Sequence, residues 1–244
     1  MIVEPLSISA RRLGEIALGD YCPRCYWLRL HTKGKLPFAG PFPGIFSSID
    51  AYSKGIIHDY FDKKKRLPAW YPRVGDVTGY VPSGDLHWRK FSAKDAKTNI
   101  KLWGSPDELL RLADGSFHIV DYKTGRITQT QDELLPLYAV QLNVYAYICS
   151  RENTEFAPVS GLSLIYTEPL TSLRAGANPE VMSKRGFALH FSATLKPVKL
   201  ESERMIPRLL REARALYDQQ PAPRGRPGCE DCDNFARLLN LISE

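Results

Sequence analysis

The sequence predicts an α/β fold, a central mixed β-sheet flanked by helices, with the N- and C-terminal segments clasped by a cysteine site. Three observations predict it. Strand-like and helix-like segments alternate along the chain from residue 47 onward. Two strand-like runs flank Ala113-Asp114-Gly115, a good hairpin turn. Two Cys-x-x-Cys pairs, Cys22/Cys25 and Cys229/Cys232, stand at opposite ends of the chain.

The elements follow in order. Residues 34–44 hold three glycines and three prolines and read as a loop. Residues 47–66 read as a helix, with Ser47 or Ser48 as cap and Ile49, Tyr52, Ile56, Tyr60 and Phe61 at apolar positions. Residues 67–99 contain short β-like pieces, and Lys90–Lys97 reads as exposed. Leu102–Leu112 and Ser116–Lys123 are strands, and residues 132–150 a helix with Pro136 near its start, where a missing N–H is tolerated. Residues 161–167 and 187–192 are further strands. A helix at about 199–219, basic on one side, leads to a stiff connector, Pro221–Gly228, and a short last helix after Cys229.

Composition narrows the function. Hydrophobic residues at 43% and charged residues at 25% exclude a mainly disordered, collagen-like or coiled-coil chain. Thirty-three Lys and Arg against 27 Asp and Glu leave +6, which favours a polyanionic partner. An odd number of cysteines, five, and an N-terminus unlike a signal peptide point to a reducing, cytoplasmic setting. No apolar run is long enough to span a membrane.

The chemistry concentrates in Gly104-Ser-Pro-Asp107 and Asp121-Tyr-Lys123. Residues two apart on a strand share a face, so Asp121 and Lys123 project together. Two carboxylates and a main-chain carbonyl suit a hard cation such as Mg²⁺, and a lysine beside them can stabilise developing charge. Hairpin register tests the idea. A two-residue loop at 114–115 would put Asp107 opposite Tyr122, on the wrong face. A three-residue loop at 113–115 puts it opposite Asp121, so converging carboxylates predict the odd loop or a bulge. His58 lies on the amphipathic helix, and Gln141 and Tyr145 are i, i+4 on one helical face. Taken alone, each of these residues also fits a plain structural role: an ion pair, a helix-surface histidine or a core edge.

Together and in order, G-x-x-H at 55–58, G-x-P-D at 104–107, I-V-D-Y-K-T-G at 119–125 and Q-x-x-x-Y at 141–145 resemble the RecB-type branch of the PD-(D/E)XK nuclease superfamily. They are closest to the CRISPR-associated RecB-like exonucleases. The resemblance covers roughly residues 8–232. It implies a restriction-endonuclease-like fold in a single domain over 1–244, with 1–45 and 200–244 forming a cysteine-cluster and DNA-binding lobe. It implies a DNA nuclease, exonuclease favoured, acting on single-stranded DNA or DNA ends in CRISPR adaptation or in recombination and repair. His58, Asp107, Asp121 and the Tyr122 carbonyl would hold Mg²⁺ or Mn²⁺. Lys123 would be the catalytic lysine, with Gln141 and Tyr145 positioning lysine, water or DNA. A non-catalytic DNA-binding or assembly subunit with the same fold is the alternative.

Two Cys-x-x-Cys pairs in a reduced chain suit a four-thiolate site for structural Zn²⁺ or an iron–sulfur cluster. The resemblance favours a 4Fe-4S cluster, usually held by one N-terminal cysteine and three near the C-terminus. Here the last of those is absent, since the chain runs Asp233-Asn-Phe-Ala-Arg-Leu-Leu239, and Cys25 is the extra residue that would replace it. Cys149, in an apolar helix, reads as an ordinary core residue. Arg204, Arg208, Arg211, Arg224 and Arg226, with Lys33 and Lys35 near Trp27, Phe38 and Phe42, offer cations and aromatics suited to single-stranded nucleic acid.

Overall fold

The computed structural model describes residues 5–35, 44–125, 133–171, 181–184 and 186–243. β1 (Leu6–Ser9) runs into the short helix α1 (Ala10–Gly14), where the Ser9 hydroxyl accepts from the Arg12 N–H and caps the first turn. α2 (Pro23–His31) begins on proline, and α3 (Gly44–Lys64) is the long helix expected near residue 47, begun three residues earlier. β2 (Val77–Tyr80) and β3 (Ser92–Asp95) are the short pieces of the 67–99 stretch. Within it Phe91 and Ala93 are buried, so only part of Lys90–Lys97 is exposed.

The run expected as one strand over Leu102–Leu112 is two. β4 (Ile100–Trp103) joins β1 and β3 in a three-stranded sheet, whereas β5 (Glu108–Leu112) joins a different, five-stranded one. The break falls at Gly104-Ser-Pro-Asp107. Pro106 has no N–H to give a ladder, and the Tyr145 ring lies against Gly104, where a Cβ would stand 2.4 Å from Cε1.

The five-stranded sheet has the order β10-β7-β6-β5-β2. β6 (Phe117–Thr124) and β7 (Val159–Pro169) are parallel, linked by α4 (Leu135–Arg151), and the other pairs are antiparallel. The sheet is therefore mixed, as expected. A two-stranded ribbon pairs β8 (Met182–Ser183) with β9 (Gly186–Phe187). The strand expected over 187–192 lies further on, as β10 (Phe191–Val198). α5 (Ser202–Asp218) and α6 (Glu230–Ser243) complete the chain.

Two apolar layers hold the sheet. On one face α4, buried from Leu137 to Cys149, packs with α1 and α5 against Leu109, Ile119, Leu162 and Leu164. Cys149 lies here, fully buried, as an ordinary core side chain. On the other face Ile57 of α3 and Tyr71 cover Leu110, Val120 and Ile165. A side chain on β6 thus faces either α4 or α3, and this alternation assigns each candidate residue its surroundings. No helix among the described residues is long and apolar enough to cross a membrane.

Candidate active site and cysteine cluster

β5 and β6 pair with Glu108 opposite Val120 and Arg111 opposite Phe117. Continued by one residue each way, that register closes a three-residue loop at 113–115 and sets Asp107 level with Asp121. Gly115 takes the left-handed backbone at φ 84°, and Leu112 donates to the Ser116 carbonyl at 2.8 Å. Asp107 lies just beyond the end of β5, so it is free to turn toward β6. Its Oδ2 accepts from the Tyr122 N–H at 2.8 Å.

Asp121 points to the α4 face and is 3% exposed. The Gln141 amide donates to its Oδ1 at 3.1 Å and to the Tyr145 hydroxyl at 2.9 Å, and that hydroxyl donates to the Ser105 carbonyl at 3.3 Å. Lys123 pairs with Asp121 Oδ2 and lies 4.3 Å above the Tyr138 ring. Burial pushes the Asp121 carboxyl up to about 6, against the pull of the Lys123 ammonium, with Asp107 adding to the rise. Asp107, Asp121, Lys123, Gln141 and Tyr145 are thus brought together at the open end of the β5–β6 pair.

Phe117 at the start of β6 and Gly125 just past its end donate to the Pro158 and Thr167 carbonyls on the β7 side. Even-numbered residues therefore present their backbone groups toward β5. The Tyr122 carbonyl consequently faces the edge that β5 has vacated, on the same side as Asp107.

His58 is not brought to the carboxylates. Its Nε2 lies 2.9 and 3.1 Å from the two oxygens of Glu108, and its ring stacks on Tyr80 at 4.0 Å. Glu108 pairs with Val120 and so faces α3, opposite to Asp121, with 1% exposure. The Glu108 hydrogen bond holds the His58 imidazole above its ordinary pKa, and burial raises the Glu108 carboxyl. Sequence reasoning missed two neighbours of this site. One is Glu108, directly after Asp107. The other is Lys54, one helical turn before His58, whose ammonium donates at 2.8 Å to both Asp50 and Asp107. The i, i+4 spacing of Lys54 and His58 was the available signal.

Two features fit a hard cation between Asp107 and Asp121. The donors are all oxygen, and Gln141 Oε1 beside Asp121 is buried without a hydrogen bond among the described residues, while Asp121 Oδ2 is met by the Lys123 ammonium.

The second centre joins the chain ends. Cys22 and Cys25 bracket the start of α2, and Cys229 and Cys232 the start of α6. The four Sγ atoms lie within 4.8 Å of one another, with Cys22–Cys232 at 3.5 Å, Cys25–Cys232 at 3.5 Å and Cys25–Cys229 at 3.6 Å. They are the only group of three or more potential ligands this compact among the described residues. The Arg226 N–H donates to Cys22 Sγ at 3.2 Å. Against the burial that raises it, hydrogen bonds from the Cys25 and Arg226 backbone and from the Cys232 and Cys229 thiols bring Cys22 down to about 6.

The basic residues divide. Arg204, Arg208 and Arg211 are exposed along α5, although Arg204 pairs with Glu201 and Arg208 with Glu212. Arg224 is exposed on the connector, while Arg226 is tied to the Asp20 carbonyl at 3.2 Å. Trp27 donates to the Gln219 carbonyl at 3.1 Å and packs on His31, so it is a structural tie between α2 and α5. Lys33 and Lys35 are exposed, and Phe38 and Phe42 lie outside the described residues.

A carboxylate pair with a lysine at the open edge of a mixed sheet is the kind of site that handles phosphate esters with a divalent ion. The family model of the PD-(D/E)XK nuclease superfamily matches residues 56–235, and the chain belongs to that superfamily. The PD-(D/E)XK nucleases use divalent metals. No curated protein matches the sequence. One solved structure, titled "Crystal structure of SSO0001", is similar at 14% identity, covering 91% of this chain and 81% of its own, with a TM-score of 0.39.

Proposed function

We propose that the protein is a Mg²⁺- or Mn²⁺-dependent deoxyribonuclease that hydrolyses phosphodiester bonds, acting as an exonuclease on single-stranded DNA or DNA ends. Its setting would be CRISPR adaptation or recombination and repair. One observation carries the reading: the three-residue turn that brings Asp107 level with Asp121, with Lys123 on the same face as Asp121. Asp107, Asp121 and the Tyr122 carbonyl would hold the ion. His58 would join them only by exchanging Glu108 for it. When bound, the ion polarises the phosphoryl oxygen and lowers the pKa of a bound water. Lys123 stabilises the negative charge that develops on the phosphate oxygens. Gln141 and Tyr145 hold the Asp121 carboxylate in place from the α4 side. The cysteine cluster and the arginines of α5 form a terminal lobe that would follow the DNA backbone.

The test is cleavage of end-labelled single- and double-stranded DNA with Mg²⁺ or Mn²⁺ against EDTA. Asp121→Ala and Lys123→Ala should each abolish turnover. Activity surviving both substitutions overturns the reading. Salt-sensitive DNA binding without turnover in the unmodified protein would instead favour a non-catalytic binding subunit.

A further inference from the structure

The sequence leaves zinc and an iron–sulfur cluster open at the four cysteines, and the resemblance leans to four irons. The sulfur positions lean the other way. A single tetrahedral ion bound by thiolates at about 2.3 Å places the sulfurs roughly 3.8 Å apart. Three of the six sulfur pairs, at 3.5, 3.5 and 3.6 Å, lie close to that edge length, and the other three lie within 4.8 Å. In a four-iron cluster each thiolate ligates a different iron, and the inorganic core holds the sulfurs much further apart.

The surroundings agree. A cavity of about 350 Å³ adjoins the cluster, but Cys232 is not on its wall, so the four sulfurs do not enclose it. On the far side the backbone closes in at Gly225. A Cβ there would stand 2.7 Å from Cys232 Sγ and 3.8 Å from Cys22 Sγ. The connector backbone therefore limits how far Cys232 Sγ can move outward to widen the spacing between the sulfurs. The Arg226 N–H on Cys22 Sγ is the outer-shell hydrogen bond that orients a metal thiolate.

We infer that Cys22, Cys25, Cys229 and Cys232 hold one tetrahedral Zn²⁺ rather than a four-iron cluster, as a redox-silent clasp between α2 and the start of α6. This rests on the cysteine site of the reading above but not on its catalysis. The four thiolates come from two Cys-x-x-Cys knuckles, each presenting its pair at the first turn of a helix. Cys22 and Cys232 are 210 residues apart in sequence. An ion joining them closes nearly the whole chain, and loop-closure entropy grows only slowly with length, so binding energy can be expressed as folding energy.

The experiment is metal and acid-labile sulfide analysis of full-length protein purified without air, with its absorption spectrum, from cells supplied with both iron and zinc. One zinc per chain, no sulfide and no colour are expected. Protein stripped of metal should then take up Co²⁺ stoichiometrically, giving the intense visible bands of tetrahedral cobalt thiolate, and Zn²⁺ should displace it. Cys25→Ser should lower the affinity for Co²⁺, read from those thiolate bands, at least tenfold, whereas substitution of the exposed Lys90, Lys90→Ala, should leave it unchanged. Near four irons and four sulfides per chain with a brown colour would overturn the inference. So would stripped protein that rebuilds such a cluster from iron and sulfide while refusing Co²⁺. DNA cleavage on the same samples reports separately on the nuclease reading.

Discussion

The Lys54 ammonium donates to Asp107 at 2.8 Å and to Asp50 at 2.8 Å, so Asp107, like Asp121 with Lys123, carries an internal counter-ion. Burial favours loss of the Lys54 proton, but Asp107 and Asp50 hold its pKa above the ordinary value, so it stays charged. A divalent ion that binds Asp107 must compete with this ammonium. Lys54→Met should therefore tighten Mn²⁺ binding roughly threefold to tenfold, about 1 kcal/mol for a half-buried pair. Titration of DNA-free protein by calorimetry or electron paramagnetic resonance reads this directly. Unchanged or weaker affinity would show that Lys54 supports the ion instead of opposing it.

Gly104 and Tyr145 form a second such relationship. The ring rests where a Cβ would be, and the hydroxyl receives the Gln141 amide that also bonds Asp121. Gly104→Ala should push the ring out of its slot and cost about 1–3 kcal/mol by overpacking. Tyr145→Phe keeps the ring and removes only the hydroxyl. Thermal melts should show a large loss for Gly104→Ala and a small one for Tyr145→Phe, with cleavage slowed in both. Full activity in Tyr145→Phe would mean that Gln141 holds Asp121 without help.

Much of this site was legible because it is local. The period of a strand places Lys123 beside Asp121, and the turn residues Ala113-Asp114-Gly115 mark the hairpin, but they allow a two- or a three-residue loop, and only the packed register sets Asp107 level with Asp121. The 3.6-residue period likewise put Gln141 and Tyr145 on one helical face. The partner of His58, Glu108, was not legible. The His58 helix packs on the α3 face of the sheet, and which face a helix covers is a tertiary fact with no local signal. The same holds for Glu108, whose neighbour Asp107 bears the motif while Glu108 itself points the other way. The break between β4 and β5 was visible in Pro106, yet the apolar residues on either side read as one run. The cysteine pairs announced themselves by spacing, but the distances between their sulfurs come only from the packing of α2 against α6.

Gly225 makes the clasp testable without touching a ligand. With Cys232 Sγ 2.7 Å from the position of a Cβ, Gly225→Ala must displace either the connector or the thiol. The variant should bind metal at least tenfold more weakly and lose on the order of 2 kcal/mol of stability. Hydrogen exchange should show α2 and α6 loosening while β6 and β7 keep their protection. If metal content and exchange both match the unmodified protein, the close approach is not a constraint on the site.

His118 gives a pH signature independent of both metal centres. It lies on β6 with its Nε2 2.9 Å from the Ser163 hydroxyl and its ring against Gly161, where a Cβ would be 2.3 Å away. Burial lowers its pKa to about 4 from the ordinary 6.5. Between those values the unfolded chain binds the proton and the folded one does not, so stability rises with pH across that window. Above pH 6.5 the contribution is complete. As pH falls toward 4 the neutral, half-buried imidazole costs up to about 3 kcal/mol relative to the protonated unfolded chain. His118→Gln retains a group able to reach Ser163 and has nothing to titrate. Urea midpoints of the two proteins at pH 7 and pH 4.5 should therefore diverge, with the substituted protein losing less on acidification. Parallel losses would show that carboxylates alone govern the acid limb.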